Sequence, residues 1–249
     1  MLLKGKTAVI TGSNRGIGRA ALERFAMNGA NVFAHARRET DEFKELCKRT
    51  ADKYNVTITP VYFDITEEAA VKNGIKEIVR ASKDIDILVN NAGSVNRIKL
   101  FQMMTIQEIR EQFEVNFFSH ILITQLISRL MIKRRKGSIV NISSCAGIDG
   151  NTGMLDYVSG KAAMIGATKR MAIELGEYNI RVNSVAPGLT ETDMGDKMEE
   201  RLFEDMLKKL VIKRKAKPEE IGDAIVFLAS DMSSFITGQV IRVDGGMLQ

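Results

Sequence analysis

The residues best suited to chemistry in this sequence are a tyrosine and a lysine four positions apart, Tyr157 and Lys161. They fall at the start of a helical pattern, where this spacing places both side chains on one face, one turn apart. A nearby ammonium group stabilises a tyrosinate and lowers the pKa of a phenol, which otherwise lies near 10. The pair could therefore transfer a proton at neutral pH, although a surface tyrosine and lysine would give the same pattern.

A second candidate site is the glycine-rich turn TGSNRGIG at 11–18, which joins the first predicted strand to the first predicted helix. Its glycines let the backbone approach a pyrophosphate closely, and the amide groups and dipole of a helix N-terminus favour an anion. The spacing is GxxxGxG rather than the GxGxxG of other dinucleotide-binding folds. Glycines also form plain turns, so the position at a strand–helix junction carries the prediction.

The end of the second predicted strand should meet the adenosine ribose of a dinucleotide, and it commonly carries an acid when the cofactor is NAD. Here it reads His35-Ala36-Arg37-Arg38, and Arg15 lies in the glycine loop. Guanidinium groups match a 2′-phosphate in charge and geometry. Single arginines on surface loops are common, but three of them without an acid predict NADPH/NADP+ rather than NADH.

These residues must be positioned by elements that alternate along the chain. Short Val/Ile-rich runs predict buried parallel strands, and the longer segments between them have helical spacing. The strands are expected at 6–11, 31–36, 57–63, 85–90, 138–143, 180–186 and 239–243, and the helices at 17–27, 40–54, 67–81, 106–135, 155–177 and 218–229. This alternation predicts a single-domain α/β fold over 1–249, a doubly wound, Rossmann-like parallel β-sheet of about seven strands with helices on both faces.

One segment, 188–217, breaks the alternation. It follows a strand, begins with a cluster of acidic residues and ends with a cluster of basic ones. Long insertions after the C-terminal end of a strand are often lids over a site. We therefore expect a substrate lid here, with a solvated pair of surface helices as the alternative.

Composition limits the class of protein. The 249 residues are 45% hydrophobic and 27% charged, which argues against disordered and fibrous classes. The longest apolar run, 121–132, is too short for a membrane span. Cys47 and Cys145 give no disulfide framework and favour a reducing, cytoplasmic compartment. The net charge of +5 does not require nucleic acid, and His35 and His120 lack metal-ligand spacing, so neither nucleic acid nor metal is expected.

Further motifs complete a pattern in chain order. Asn90-Asn91-Ala92-Gly93 follows the fourth strand, Asn116 lies on the next helix, Ser143-Ser144 ends the fifth strand, and Pro187-Gly188 follows the Tyr–Lys pair. With TGxxxGxG, this order resembles the short-chain dehydrogenase/reductase superfamily over essentially the whole chain. The resemblance implies hydride transfer from a dihydronicotinamide to a ketone, with a proton supplied by the protein.

The resemblance also assigns roles to individual positions. Tyr157 would donate the proton to the carbonyl oxygen, Ser144 would hold that oxygen, and Lys161 would lower the pKa of Tyr157 and bind the nicotinamide ribose. Asn116 would fix a helix kink and a water molecule in a proton relay. Ser143 could replace Ser144, but the interval of thirteen residues before Tyr157 favours Ser144. The residues expected to contact the cofactor are Gly12, Ser13, Asn14, Arg15, Gly16, Ile17, Gly18, Arg37, Arg38, Asp64, Ile65, Asn90, Ala92, Gly93, Tyr157, Lys161, Pro187, Gly188 and Thr190.

Within the superfamily, stretches such as TGSNRGIGRA and RVNSVAPGLTETDM most resemble the bacterial 3-oxoacyl-acyl-carrier-protein reductases. This implies NADPH-dependent reduction of a 3-oxoacyl thioester in fatty-acid biosynthesis by a homotetramer with interfaces at 155–171 and 235–247. An acidic carrier protein would dock on the basic run 133–136, where Arg135 matches a docking arginine. The position of a second docking arginine is occupied by Tyr178 in this sequence. The alternative for the basic run is a helix C-terminus whose positive charges complement the helix dipole.

Other functions share these motifs. A sugar, polyol, sugar-nucleotide or steroid ketone could be the substrate, because superfamily members differ chiefly in the lid. A non-catalytic NADPH-binding sensor is a third possibility, although such a protein could have lost the serine, tyrosine or lysine that this sequence retains.

Overall fold

The computed structural model describes residues 1–96, 98–192 and 207–247. Seven strands form one sheet in the order β3-β2-β1-β4-β5-β6-β7, and every neighbouring pair is parallel. The strands are β1 Thr7–Ile10, β2 Asn31–Ala36, β3 Ile58–Tyr62, β4 Ile87–Asn90, β5 Gly137–Ile142, β6 Ile180–Pro187 and β7 Val240–Val243. The strand order reverses between β1 and β4, and ligands of open α/β sheets bind at such a point, beyond the carboxyl ends of the strands.

Helices cover both faces of this sheet. They are α1 Gly16–Met27, α2 Asp41–Tyr54, α3 Glu68–Ala81, α4 Ile106–Phe113, α5 Ser119–Arg134, α6 Ala146–Asp149, α7 Leu155–Gly176 and α8 Pro218–Ala229, with 3-10 turns at Phe101–Met103 and Asp231–Ser233. Successive strand residues point to opposite faces, so Ala8 and Ile10 pack in the core under α1, α2 and α8. Val9 packs in the second core, under α3, α5 and α7.

The predicted doubly wound sheet with helices on both faces is therefore confirmed, with ends that differ from the predicted ones by a few residues at most. The helical segment expected over 106–135 is observed over Ile106–Arg134, and its hydrogen bonding changes near Asn116, where the resemblance implied a helix kink. A π-helical turn, Glu114–Phe118, separates α4 from α5, and α5 stops at Arg134 because Arg135 adopts a left-handed conformation with φ of 50°. Sequence analysis missed the short helix α6.

The continuous helical segment Ile106–Arg134 is long and apolar enough to cross a membrane by length and composition. Its position in the fold gives another reason for that composition. Ile123, Ile127 and Met131 on α5 are fully buried in the core that also contains Val9 of β1. A core helix of this kind meets the same criteria as a membrane span.

Candidate active site

Tyr157 and Lys161 lie one turn apart near the start of α7, at the carboxyl edge of the sheet. Lys161 is buried, its Nζ donates a hydrogen bond to the carbonyl oxygen of Ile142 at 2.9 Å, and the same Nζ lies 5.8 Å from the centre of the Tyr157 ring. Burial lowers the pKa of Lys161 to about 8. The ammonium group therefore remains largely protonated at neutral pH but is easier to deprotonate than an exposed one.

Ser144, just beyond the end of β5, supplies the hydrogen bond that tunes Tyr157. Burial raises the pKa of the Tyr157 phenol, and the hydrogen bond with Ser144 opposes that rise without cancelling it. Ser143 instead donates to the carbonyl oxygen of Val185 at 3.1 Å, inside the sheet. Of the two serines, Ser144 is thus the one placed at the phenol, where its hydrogen bond lowers the pKa of Tyr157 against the effect of burial.

Asn116 lies in the π-helical turn, and the turn aims its side chain at the segment after β4. Its Nδ2 donates to the Ser94 carbonyl oxygen at 3.0 Å and to Oε1 of Gln112 at 2.7 Å. A Cβ on Gly93 would lie 2.9 Å from Oδ1 of Asn116 and 3.5 Å from Nζ of Lys161. Gly93 is therefore the residue that lets Asn116 and Lys161 come close together.

The two asparagines after β4 have different surroundings. Asn90 is buried, and its Nδ2 donates to Thr124 Oγ1 and Asn141 Oδ1, both at 2.8 Å, so its side chain points into the fold and does not line the site. Asn91, which sequence analysis did not single out, donates from Nδ2 to the carbonyl oxygens of Thr11 and Gly12 at 2.8 and 3.1 Å. Asn91 is thus the asparagine that connects β4 to the glycine loop.

The glycine loop leaves the N-terminus of α1 accessible. Gly12 and Gly16 have φ of 68° and 53°, and a Cβ on Gly18 would overlap the Gly12 carbonyl oxygen. The N-cap residue of α1, Arg15, makes no capping hydrogen bond with its side chain, and the first turn of this fully described helix contains no acidic residue. By contrast, α2 has a Thr40 cap and two acidic residues in its first turn. The N-terminus of α1 therefore suits an anion.

His35, on β2, positions this loop and was missed from the sequence. Its Nε2 lies 2.8 Å from the Phe63 carbonyl oxygen, which can only accept, so Nε2 carries the proton and Nδ1 accepts from the amide of Gly12 at 3.1 Å. Burial lowers the pKa of His35 to about 4. No sequence signal marks this role, because Gly12 lies 23 residues away along the chain.

His120, on α5, is a second buried histidine near the site. Its Nε2 donates to the Ala92 carbonyl oxygen at 2.6 Å, and burial together with the Lys161 charge lowers its pKa to about 3. His120 is therefore neutral at physiological pH. In the ranges 1–96, 98–192 and 207–247, the structure shows no group of three or more His, Cys, Asp or Glu side chains that could hold a metal ion.

At the end of β2, the arginines lie where the sequence predicts, but one of them is paired. Arg37 donates from Nε to Asp64 Oδ2 at 2.7 Å, and its side chain is 69% exposed. Burial raises the pKa of Asp64, but hydrogen bonds from Thr66 and Arg37 outweigh burial and lower it overall. Arg38 is exposed, and Ile65 is buried beside Asp64. This end of the site thus presents an Arg37–Asp64 ion pair and a second, exposed arginine.

The segment after β6 closes the site on its other side. Pro187 is buried, Thr190 is buried with its hydroxyl donating to the Gly188 carbonyl oxygen at 3.1 Å, and Thr192 would contact a Cβ placed on Gly16. Within five residues of the end of β6, the chain therefore reaches the glycine loop and contacts it through Thr192. Of the predicted lid at 188–217, residues 193–206 lie outside the described residues.

The remaining predicted cofactor contacts lie on the same edge. Gly12, Gly16, Ile17, Gly93 and Gly188 are partly exposed, Asn14 and Arg15 are exposed, and Ser13, Gly18 and Ala92 are buried. The side chain of Ser13 turns inward, where its hydroxyl donates to the Ile10 carbonyl oxygen at 2.8 Å. Only backbone atoms of Ser13 can therefore face a ligand in this conformation. Together the edge offers an anion site, a buried ammonium and a phenol paired with a hydroxyl.

Comparison with known proteins agrees with this site. A family model described as enoyl-(acyl carrier protein) reductase matches residues 12–248. The chain is 41% identical to 3-oxoacyl-(acyl-carrier-protein) reductase FabG of Aquifex aeolicus over 98% of both chains, and 41% identical to the FabG of Thermotoga maritima over the full length of both. It therefore belongs to the short-chain dehydrogenase/reductase family and is an oxidoreductase. The curated relatives that it resembles along its whole length are 3-oxoacyl-(acyl-carrier-protein) reductases.

Solved structures give the same family. A 7 alpha-hydroxysteroid dehydrogenase complexed with NADH and 7-oxo glycochenodeoxycholic acid matches with a TM-score of 0.90 and 33% identity, over 99% of this chain and 96% of the other. A putative NAD(P)-dependent gluconate 5-dehydrogenase from Beutenbergia cavernae with bound NADP matches with a TM-score of 0.91 and 32% identity, over 98% and 97%. The site of this chain is thus a nicotinamide-cofactor site.

The buried His35 predicts a loss of stability in acid. Its pKa is 6.5 when exposed and about 4 in the fold, so between these values the unfolded chain binds the extra proton and stability falls as pH falls. The loss should approach about 1.4 kcal/mol per pH unit. His35→Asn, which keeps a donor and an acceptor but does not titrate, should remove this part of the slope in urea unfolding.

His120 titrates in the same direction and is present in both proteins, so it serves as the internal control. Equal pH slopes for the wild type and His35→Asn would show that His35 is not held neutral by the fold.

Proposed function

We propose that this protein reduces a 3-oxoacyl thioester, carried by acyl carrier protein, to the 3-hydroxyacyl thioester with NADPH in fatty-acid biosynthesis. The observation that carries the proposal is that Ser144, Tyr157 and Lys161 lie together at the same edge of the sheet as the glycine loop, where the N-terminus of α1 has no side-chain cap. This site occurs in a chain 41% identical to FabG proteins along its whole length. One domain over 1–249 would hold the cofactor, with a substrate lid at 188–217.

The residues present fit NADPH. A pyrophosphate suits the N-terminus of α1, where glycines hold the backbone open, and Arg15, Arg37 and Arg38 supply guanidinium groups for a 2′-phosphate. Asp64 and Ile65 would face the adenine, Gly93 and Lys161 the nicotinamide ribose, and Pro187, Gly188 and Thr190 the nicotinamide. Bound NADPH supplies the hydride, and the protein supplies orientation and the proton.

Tyr157 would serve as the proton donor to the carbonyl oxygen. Reduction needs the phenol protonated, and burial keeps its pKa high enough for that at neutral pH. The Ser144 hydroxyl, already bonded to the phenol, would hold the carbonyl oxygen beside it. Lys161 keeps a positive charge near the phenolate formed when the proton leaves, and Asn116 would hold the water through which the proton is replaced.

The basic surface at the end of α5 is the proposed docking site for the acidic carrier protein. Lys133 and Lys136 are exposed, whereas Arg134 is paired with Asp84 and Asp86 and is not available. Arg135 donates from Nη2 to the Glu177 carbonyl oxygen at 2.7 Å, and its guanidinium lies 5.8 Å from the centre of the Tyr178 ring. Tyr178 occupies the position where a second docking arginine was expected, and its ring packs against Arg135.

We also propose a homotetramer, located in the cytoplasm. Phe235 is fully exposed, and Ile173 on α7 and Phe118 are largely exposed, so apolar side chains lie at or near the expected interfaces 155–171 and 235–247. Sedimentation should give four times the mass of the chain. A stable monomer would contradict this assembly. Both cysteines are buried thiols, in keeping with a reducing compartment.

Cofactor preference is the first prediction of this proposal. NADPH should bind at least about tenfold more tightly than NADH, because charge-assisted contacts to the 2′-phosphate contribute about 1.5–3 kcal/mol. Arg37→Gln with Arg38→Gln should remove most of that difference and leave NADH affinity unchanged. Arg49→Gln, an exposed arginine on α2, is the matched control. Calorimetric titration measures both cofactors, and equal affinities in the wild type would contradict the proposal.

The reaction itself is tested by NADPH oxidation with acetoacetyl-acyl carrier protein and, beside it, acetoacetyl-CoA. Tyr157→Phe should lower kcat by about 100- to 10,000-fold, because the proton donor is lost, and should leave the Kd for NADPH unchanged. Tyr54→Phe, on α2, is the control of the same type. Near-normal turnover by Tyr157→Phe would remove Tyr157 from the mechanism.

The same assay tests docking. Arg135→Ala should raise KM about tenfold for the carrier-linked substrate and not for acetoacetyl-CoA, while Arg80→Ala on α3 should change neither. Failure of the wild type to reduce either thioester, with NADPH still bound, would favour the alternative substrates: sugar, polyol, sugar-nucleotide or steroid ketones.

A further inference from the structure

An ion cluster joins the last strand of the sheet to the helix beside Ser144. Arg242 on β7 forms a bidentate pair with Asp149, with Nη1–Oδ1 and Nη2–Oδ2 distances of 2.6 and 2.7 Å. Its Nε also donates to Asp244 Oδ2 at 2.7 Å. The side chains of Asp149 and Asp244 are only 13% and 8% exposed, so water screens this cluster much less than an ordinary surface pair.

Asp149 is the last residue of α6, and Ser144 lies just before that helix begins. The amide of Ala146 donates to Ser144 Oγ at 3.2 Å, and the amide of Gly147 donates to the Ser144 carbonyl oxygen at 3.0 Å. Ser144 and α6 therefore move as one unit. A change in the position of Asp149 is passed to the Ser144 hydroxyl within a single short helix.

The opposite side of α6 lies directly against the helix that carries Tyr157 and Lys161. A Cβ on Gly147 would lie 2.9 Å from the backbone carbon of Lys161 and 2.9 Å from the amide nitrogen of Ala162. Gly147 thus gives α6 backbone contact with α7. The helix is held between α7 on one side and Arg242 on the other.

Asp244 extends the cluster to both neighbouring segments of the site. Its Oδ2 lies 3.4 Å from Cys145 Sγ, and the Ala186 carbonyl oxygen lies 3.1 Å from the same sulfur, so the two oxygens share the single thiol proton. The Cβ of Asp244 lies 2.7 Å from where a Cβ on Gly188 would be. The cluster therefore touches the residue after Ser144 and the turn after β6, yet none of its charged groups has a part in the proposed proton transfer.

We propose that Asp149 and Arg242 are positioning residues: their bidentate pair fixes α6 against α7 and so holds the Ser144 hydroxyl at Tyr157. The kinetic part of this inference rests on the proposed function. The geometric part does not, because the contacts that hold α6 between α7 and Arg242 are present in the protein whatever its substrate.

A loosened pair has a defined consequence for Tyr157. The hydrogen bond with Ser144 lowers the pKa of the phenol, so weakening that bond must raise the pKa further above its usual value. Among the described residues, the groups that face this phenol are Ser144 and Cys145 after β5 and Lys161 on α7. Neither Asp149 nor Arg242 is among the causes that act directly on the phenol, so a substitution at either is expected to act through the position of Ser144.

The experiment compares Asp149→Asn, Arg242→Gln and Arg242→Lys with the wild type. Asp223→Asn is the matched control, because Asp223 of α8 pairs with Arg24 of α1 at 2.9 Å in a partly exposed position, and neither residue belongs to α6 or to the proposed lid. The measurements are kcat and KM with acetoacetyl-CoA, the Kd for NADPH, and the ionisation of Tyr157. The last is followed by NMR of protein labelled with 13Cζ-tyrosine, with the resonance assigned through Tyr157→Phe.

We expect kcat to fall about tenfold in Asp149→Asn and up to about 100-fold in Arg242→Gln, with KM and Kd within about twofold. The Tyr157 resonance should titrate at higher pH in both. Arg242→Lys, which keeps the charge but not the bidentate geometry, should be intermediate in both readouts. Asp223→Asn should match the wild type.

Unchanged kcat and unchanged Tyr157 titration in Asp149→Asn would overturn the inference. So would a loss of kcat accompanied by weaker NADPH binding and no change in the titration, because that result describes general damage to the fold. A wild type without thioester reduction, whose Tyr157 titration still shifts on substitution, would reject the proposed function and retain the positioning role.

Discussion

The cross-link between the ends of β1 and β4 is the interaction on which the site depends. The Thr11 hydroxyl accepts from the amides of Asn91 and Ala92 at 2.9 and 3.0 Å, and the Asn91 side chain donates back to the Thr11 and Gly12 carbonyl oxygens. These bonds join the glycine loop to the segment that carries Gly93. The anion site at α1 and the buried ammonium of Lys161 are thereby fixed at one distance, which a cofactor spanning both requires.

Burial determines which groups near this cross-link are charged. His35 and His120 are both neutral, each donating from Nε2 to a backbone carbonyl oxygen. A charged His120 would repel the ammonium of Lys161, and the Lys161 charge is itself among the causes of the low pKa of His120. Lys161 therefore stays charged beside the phenol while both histidines are neutral. The same burial that removes charge from the histidines keeps the Tyr157 proton in place, so burial serves both the fold and the proposed chemistry.

Sequence periodicity predicted the layers and the strands well because strands buried on both faces have unbroken apolar runs, as in β4 and β5. It also predicted the Tyr157–Lys161 spacing, which is local. The roles of His35 and Asn91 could not be predicted, since each depends on a backbone group far away in the chain. The π-helical turn cannot be predicted from periodicity, because its residues continue the helical hydrophobic pattern; the resemblance alone implied a kink at Asn116, which packs against Ser94 in this turn.

The fold and the proton donor cannot by themselves select the substrate. The chain matches a steroid dehydrogenase and a putative gluconate dehydrogenase with TM-scores of 0.90 and 0.91, so the same fold occurs in proteins named for different substrates. We expect substrate choice to depend on the segment after β6, which borders the site. Because Asp244 contacts both Cys145 and the turn at Gly188, the Arg242 cluster lies between the start of that segment and Ser144. It can hold the proton-transfer groups fixed while the substrate-binding segments change.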